Sequence, residues 1–325
     1  MAASSTRTDV PEAIPHMEAH ILRELGAHRA RDEQGAGKRV PPPLIVGVQG
    51  PQGSGKTYLT SILRDVLQGQ PHNLSVAVLS LDDLYLPREG LVSLAAAHPE
   101  NALFRGRGQP GTHDVPLGTE VLNKLKRIND AGAPERGVEL PSFDKSLFDG
   151  EGDRAPHGTV VRPPVDVVLF EGWCVGFYPI PVEEVERRYS QPVEGLGEDF
   201  LHRKGFRIQD VLDVNERLKS YVSWWNLFDA FIQIKPPQAH PYTYIYKWRL
   251  QQEHNMKART GGKGMSDEQV ERFVDRYIPG YVFFGDGVTE GNQNASGTRT
   301  LPPWSGHGLR IQIGEGREVV HVDSF

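Results

Sequence analysis

An α/β fold, with a mainly parallel sheet held between two layers of helices, is what the sequence predicts, and three observations predict it. Short apolar runs rich in β-branched residues recur at 44–48, 74–81, 165–172 and 230–234, the pattern of strands buried on both faces. Between them lie segments with apolar residues at helical spacing, and alternation of this kind builds a parallel sheet. The first run leads directly into Gly50-Pro51-Gln52-Gly53-Ser54-Gly55-Lys56-Thr57, which satisfies the phosphate-loop pattern G-x-x-x-x-G-K-S/T at every specified position.

Bulk properties narrow the class. The chain has 325 residues, 38% of them apolar, enough for a sizeable core. Its net charge of −6, without a basic block, speaks against a non-specific nucleic-acid binder. No apolar run reaches the length of a membrane span, and residues 1–26 lack the apolar centre of a secretory signal. Asp9, Glu12 and Glu18 fit a transit peptide poorly. The lone Cys174 excludes an internal disulfide and suits a reducing compartment, so the cytoplasm is the expected location.

Residues 1–43 read as an appendage and linker. Ile14, Met17, Ile21, Leu22 and Leu25 share one helical face, and the Arg-, Gly- and Pro-containing stretch after them ends in Pro41-Pro42-Pro43. Whether this part docks or hangs free is open at this stage. Residues 44–325 form the main domain. After the strand at 44–48, the loop supplies backbone N–H groups for a polyphosphate, Lys56 reaches its terminal phosphates, and the Thr57 hydroxyl suits Mg²⁺. Leu59, Ile62, Leu63, Val66 and Leu67 then make one face of a helix, which puts the phosphates at its N-terminus.

The second strand, 74–81, leads into Asp82 and Asp83, two carboxylates where open α/β sheets place their ligands. Asp82 is the functional candidate; a helix cap is the plain alternative for Asp83. Residues 86–164 are too many for one turn and are expected to hold small elements and part of a binding site. Two charged segments stand out there, 105–114 and 141–154, each readable also as a solvated loop. A helix at 116–128 separates them. The strand at 165–172 ends in Glu171, a Walker-B-like acid placed to hold or orient Mg²⁺, with a capping role as the alternative. Trp173, Phe177 and Tyr178 are expected to pack rather than stack on a base.

Further on, a helix is expected at 210–225, a strand at 230–234 and a helix at 242–256 carrying Arg249, Gln252 and Glu253 on one side. The cationic, glycine-containing stretch 257–264 follows. It suits a lid over phosphates, spanning about 248–265, with Arg249 or Arg259 neutralising transition-state charge; a solvated basic loop is the alternative. Ser266 and Gln269 spell a capping box for a helix halted at Pro279. Residues 285–306 read as a surface loop, and 309–313 with 317–322 as a terminal hairpin.

Taken together, Ser80-Leu81-Asp82-Asp83-Leu84-Tyr85, Arg107 to Asp114, Phe143-Asp144-Lys145-Ser146 and Phe170-Glu171-Gly172-Trp173 make the chain, from residue 44 to 284, resemble the D-glycerate 3-kinase-like P-loop kinases. These belong with the uridine kinase, phosphoribulokinase and pantothenate kinase group. The resemblance implies a three-layer α/β/α P-loop NTPase fold and transfer of the γ-phosphoryl of ATP, with Mg²⁺, to a hydroxyl of a small metabolite. It implies Asp82 as the base near that hydroxyl; the residues themselves offer Lys56, Glu171 and Arg249 as its catalytic companions and Thr57 and Glu171 for the metal. Nucleotide contacts are expected from Gly50, Gln52, Gly53, Ser54, Gly55, Lys56, Thr57, Tyr58 and Arg259. Acceptor contacts are expected from Asp83, Tyr85, Arg105, Arg107, His113, Asp114, Asp144, Lys145 and Arg154. Arg105, Arg107, Lys145 and Arg154 favour an acidic acceptor such as D-glycerate, since guanidinium and ammonium groups hold carboxylates. A nucleoside or pantothenate kinase, or a non-metabolic ATP-binding switch, are the rival readings.

Overall fold

The computed structural model describes residues 10–33, 40–131, 137–294 and 296–325. Five strands run parallel: β1 (Leu44–Gln49), β2 (Val76–Ser80), β3 (Val167–Gly172), β4 (Ala230–Lys235) and β5 (Gly308–Ile313). β6 (Val319–Ser324) adds an antiparallel edge, and the spatial order is β6-β5-β4-β1-β3-β2. β1 and β3 are buried at every position, which is why their sequences are continuous apolar runs rather than alternating ones.

Strand order reverses at β1, which lies between β3 and β4, and ligands in such sheets bind beyond the carboxyl ends of the strands at that switch. Register decides what meets there. Glu171 pairs in register with Val48 of β1 on one side and Ser80 of β2 on the other. The chain segments that follow these strands therefore emerge side by side.

The helices that matter for the site are α1 (Ala13–Glu33), α2 (Lys56–Gln68), α3 (Val115–Lys126), α4 (Ile208–Leu218), α5 (Thr243–Arg259), α6 (Asp267–Asp275) and α7 (Ile278–Phe284). α1 carries the expected apolar stripe, and Ile14, Met17, Ile21 and Leu25 are buried in the main core. It runs further than the stripe, and Arg29 in its extension pairs with Asp166 at 2.5 Å. The remainder of the expected linker, 34–39, and residues 1–9 lie outside the described residues.

Several expectations about element bounds change. The helix expected at 210–225 is α4 from Ile208, a tight turn at Lys219–Tyr221 and a short helix at Val222–Trp225. Ser266 and Gln269 form the capping box of α6, but Pro279 stands in the first turn of α7, where a missing N–H costs nothing. Residues 285–306 are not simply a surface loop. Trp304 is fully buried, stacks on Phe231 at 4.5 Å and donates its indole N–H to Val288 O. One anchoring tryptophan leaves no periodicity in the sequence, so composition alone reads this stretch as solvated.

The 86–164 insertion does carry small elements: a 3-10 turn at Leu81–Leu84 leads into it, and two short antiparallel ribbons pair Val138–Leu140 with Thr159–Val161 and Phe143–Asp144 with Asp153–Arg154. Among the described residues no helix is long and apolar enough to cross a membrane.

Candidate active site

The loop between β1 and α2 is shaped by two left-handed glycines, Gly53 at φ +76° and Gly55 at φ +87°. A Cβ on Gly53 would lie 2.5 Å from the backbone N of Arg249, so only glycine lets the crest of the loop press against α5. Ser54 turns inward, donating Oγ to Pro51 O at 2.7 Å. Among the described residues, the N–H groups of Gly53, Gly55, Lys56 and Thr57 have no acceptor. Converging free N–H groups at a helix N-terminus make an anion site. Gln52 accepts a hydrogen bond from the Tyr281 hydroxyl. Tyr58, expected beside the nucleotide, is 63% exposed on the first turn of α2.

Glu171 is buried at the end of β3 and uses both oxygens. Its Oε2 is paired with Lys56, and its Oε1 accepts from the Thr57 hydroxyl at 3.1 Å. A hydroxyl and a carboxylate oxygen this close are a fitting pair of hard donors for Mg²⁺, which takes few protein ligands and leaves its other positions to phosphate and water.

Asp82 lies in the 3-10 turn directly after β2, with Ser80 capping the turn. Its Oδ1 accepts from the Tyr85 hydroxyl at 2.9 Å and its Oδ2 meets Lys145 Nζ at 2.5 Å. Burial raises its pKa, but Lys145, Lys56 and the Tyr85 hydroxyl outweigh this and pull it down to about 2. About a third of the side chain, 34%, stays open to solvent, so the ionised carboxylate is accessible. Asp83 does not cap a helix. Its carboxylate accepts from Phe143 N at 3.0 Å, which anchors the Phe143–Asp144 ribbon and thereby delivers Lys145 to Asp82. Burial pushes the Asp83 carboxyl up.

The acceptor-side residues divide into those tied into the architecture and those left free. Asp114 caps α3 through Leu117 N at 3.0 Å and pairs with Arg154 at 3.0 Å, while Arg154 also donates to Tyr85 O at 2.8 Å. Arg107 donates to the carbonyls of Gly150 and Glu151. Asp144 accepts from Ser146 N and Oγ on the surface, and these bonds lower its pKa. Arg105 is exposed and makes no hydrogen bond or ion pair among the described residues.

His113 is buried against Tyr221. The Tyr221 hydroxyl accepts from Gly111 N at 2.8 Å and lies 2.7 Å from His113 Nδ1. The other ring nitrogen of His113, Nε2, is buried without a partner among the described residues. Burial lowers the ring's pKa to about 3, and the neutral imidazole stacks on Tyr85 at 4.6 Å.

The expected lid residues have partners of their own or are exposed. Arg249 pairs along its own helix with Glu253 at 2.8 Å and lies over Phe273 of α6, 5.1 Å from the ring centre. Its backbone N lies against Gly53 of the phosphate loop. Arg259 is exposed at the last turn of α5, before Gly261 and Gly262 at positive φ. Met265 N donates to Glu253 Oε1 at 2.7 Å, tying the end of this stretch back to α5.

Lys56, Thr57, Asp82, Glu171, Tyr85 and Lys145 thus gather at the ends of β1, β2 and β3, whereas Tyr58, Arg105, Asp144 and Arg259 stay at the surface. Sequence reading missed Tyr281 and Arg317, which contact the phosphate loop at Gln52 and Gly53. Neither lies in a motif, so no local signal marks them. A broad groove of about 770 Å³ between α5, α6 and residues 196–204 contains none of the site residues.

Comparisons with known proteins point to kinases. No protein-family model matches the chain. It is 37% identical over 264 residues to the Saccharomyces cerevisiae protein named "Probable ATP-dependent kinase TDA10", covering 80% of this chain and 84% of that one. It is 37% identical over 243 residues to the chloroplastic D-glycerate 3-kinase of Arabidopsis thaliana, covering 74% of this chain and 47% of the plant protein. The solved structure of D-glycerate 3-kinase from Cryptococcus neoformans superposes with a TM-score of 0.84 at 39% identity, over 96% of this chain and 99% of that one.

Proposed function

Since the chain belongs to the family of D-glycerate 3-kinases and their ATP-dependent kinase relatives, we propose that it phosphorylates a small hydroxy acid, with D-glycerate the first candidate. One observation carries the choice of acceptor: the pair of Asp82 and Lys145, 2.5 Å apart beside the phosphate loop. A hydroxy acid matches that pair group for group, its carboxylate meeting the ammonium and its hydroxyl meeting the carboxylate.

The phosphates of ATP take the free N–H groups of Gly53, Gly55, Lys56 and Thr57, and Lys56 neutralises their charge. Thr57 and Glu171 would hold Mg²⁺, which supplies charge neutralisation on the phosphates when bound. Asp82 accepts the proton of the acceptor hydroxyl as its oxygen bonds to the γ-phosphorus and the bond to the β-phosphate oxygen breaks, releasing ADP. Lys145 orients the acid, with Arg105 the unpaired cation nearest in sequence to the acceptor segments. His113 Nε2, buried without a partner among the described residues, is a further polar contact for an acceptor group.

Trp173, Phe177 and Tyr178 are buried in the core, where Trp173 donates to Gly108 O, so these three are not offered to a nucleoside base. The buried Cys174 supports a reducing compartment such as the cytoplasm. ADP release with ATP, Mg²⁺ and a panel of D-glycerate, other hydroxy acids, pantothenate and nucleosides tests the reading. D-glycerate-dependent turnover supports it; preference for a nucleoside or pantothenate, or hydrolysis independent of any acceptor, overturns it.

A further inference from the structure

We propose that Arg317, in the turn between β5 and β6, is the positioning residue that holds the phosphate loop in its anion-binding form. The inference rests on the reading that nucleotide phosphates occupy that loop. Three donors of one guanidinium reach three points: Nε to Gly53 O at 2.8 Å, Nη2 to Trp248 O at 3.0 Å and Nη1 to Gln251 Oε1 at 2.6 Å. The crest of the loop and the helix pressed against it are thereby joined through a single side chain.

The Gly53–Ser54 peptide is fixed from both sides, because its carbonyl accepts from Arg317 while its N–H donates to Pro51 O at 3.2 Å. A peptide unit is planar, so fixing its oxygen and its hydrogen leaves one orientation. That orientation sets the direction in which the chain continues into Gly55, Lys56 and Thr57, whose N–H groups are free among the described residues. Those N–H groups bind an anion only when they converge. Loss of Arg317 releases the one hydrogen bond to that carbonyl among the described residues.

Two further observations separate this role from a purely structural one. The turn is attached to α5 without Arg317, through the Trp248 indole N–H on Glu315 O at 2.9 Å and Lys247 on the Glu315 carboxylate at 2.6 Å. Arg317 itself sits at φ +68°, a left-handed conformation that costs a side-chain-bearing residue energy and concentrates at functional sites.

The test uses Arg317→Ala and Arg317→Lys in the full chain, with ADP affinity by calorimetry, KM for ATP and for the acceptor, and thermal melting. Arg317→Ala is expected to weaken ADP binding and raise KM for ATP by about tenfold or more, the scale of a charged hydrogen bond, with the acceptor KM unchanged. Arg317→Lys falls between. Unchanged ADP affinity in a folded Arg317→Ala overturns the inference, as does a loss that affects both substrates equally and follows a lowered melting temperature. Should the alanine variant not fold, full ADP affinity in Arg317→Lys overturns it and weakened affinity supports it. Wild-type protein that binds no ADP would instead remove the nucleotide reading underneath.

Discussion

The proposed nucleotide side of the site and the proposed acceptor side are built differently. On the nucleotide side the groups come from one contiguous loop and one strand end, Gly53 to Thr57 and Glu171, held in a sheet buried on both faces. On the acceptor side they come from turns and ribbons far apart in sequence, and most are bound to one another: Asp114 to Arg154, Asp83 to Phe143 N, Lys145 to Asp82. Backbone geometry presents the phosphates' partners, whereas mutual side-chain pairing presents the acceptor's. A substitution on the first side should therefore act on ATP, and one on the second should act on the acceptor through its neighbours.

The strongest break of that division is Asp82→Asn. Loss of the proton acceptor should lower kcat by about 10²–10⁴-fold with ADP affinity kept, and calorimetry beside steady-state assays reads both. A matching loss of ADP binding would show that Asp82 belongs to the nucleotide side. Lys145→Met comes next: the acceptor KM should rise by about 10-fold or more while KM for ATP holds, and equal rises in both would merge the two sides.

The buried imidazole gives a pH prediction of intermediate size. The folded pKa of His113 is lowered to about 3 from 6.5, so the unfolded chain takes up the proton first. Stability contributed by the neutral ring is present above pH 6.5 and lost as pH falls towards 3. Urea titrations at stepped pH should show this slope, and His113→Asn should make it shallower; an unaltered slope would locate the titration elsewhere. The smallest expected effect is Arg105→Ala, where an exposed, unpaired side chain should change stability by no more than about 0.5 kcal/mol. A raised acceptor KM in that variant would add Arg105 to the acceptor side.

Much of this was legible in the order of residues, and the two sides were not equally so. The strands at 44–48, 165–172 and 230–234 are read correctly to within a residue or two because a strand buried on both faces leaves a continuous apolar run. The capping box at Ser266 is local by nature and is present. Asp83 and Asp114 were legible as acids near the site, but their partners were not: one carboxylate accepts from a backbone N–H 60 residues away, and the other caps a helix and pairs with Arg154. For Arg249 the helical spacing shows a cation beside Glu253, while its place over Phe273 depends on the contact of α5 with α6.

By itself the sequence determined the phosphate loop, the strand that precedes it, the helix that follows it and the acids at the ends of β2 and β3. Each of these depends on backbone conformation over a few residues, and the residue types that permit that conformation stand next to one another in the chain. Tertiary structure alone decided that Lys145 reaches Asp82 across 63 positions and that Arg317 reaches Gly53 across 264. Such meetings follow from how the sheet twists and how the helices pack, and no short stretch of sequence contains both partners.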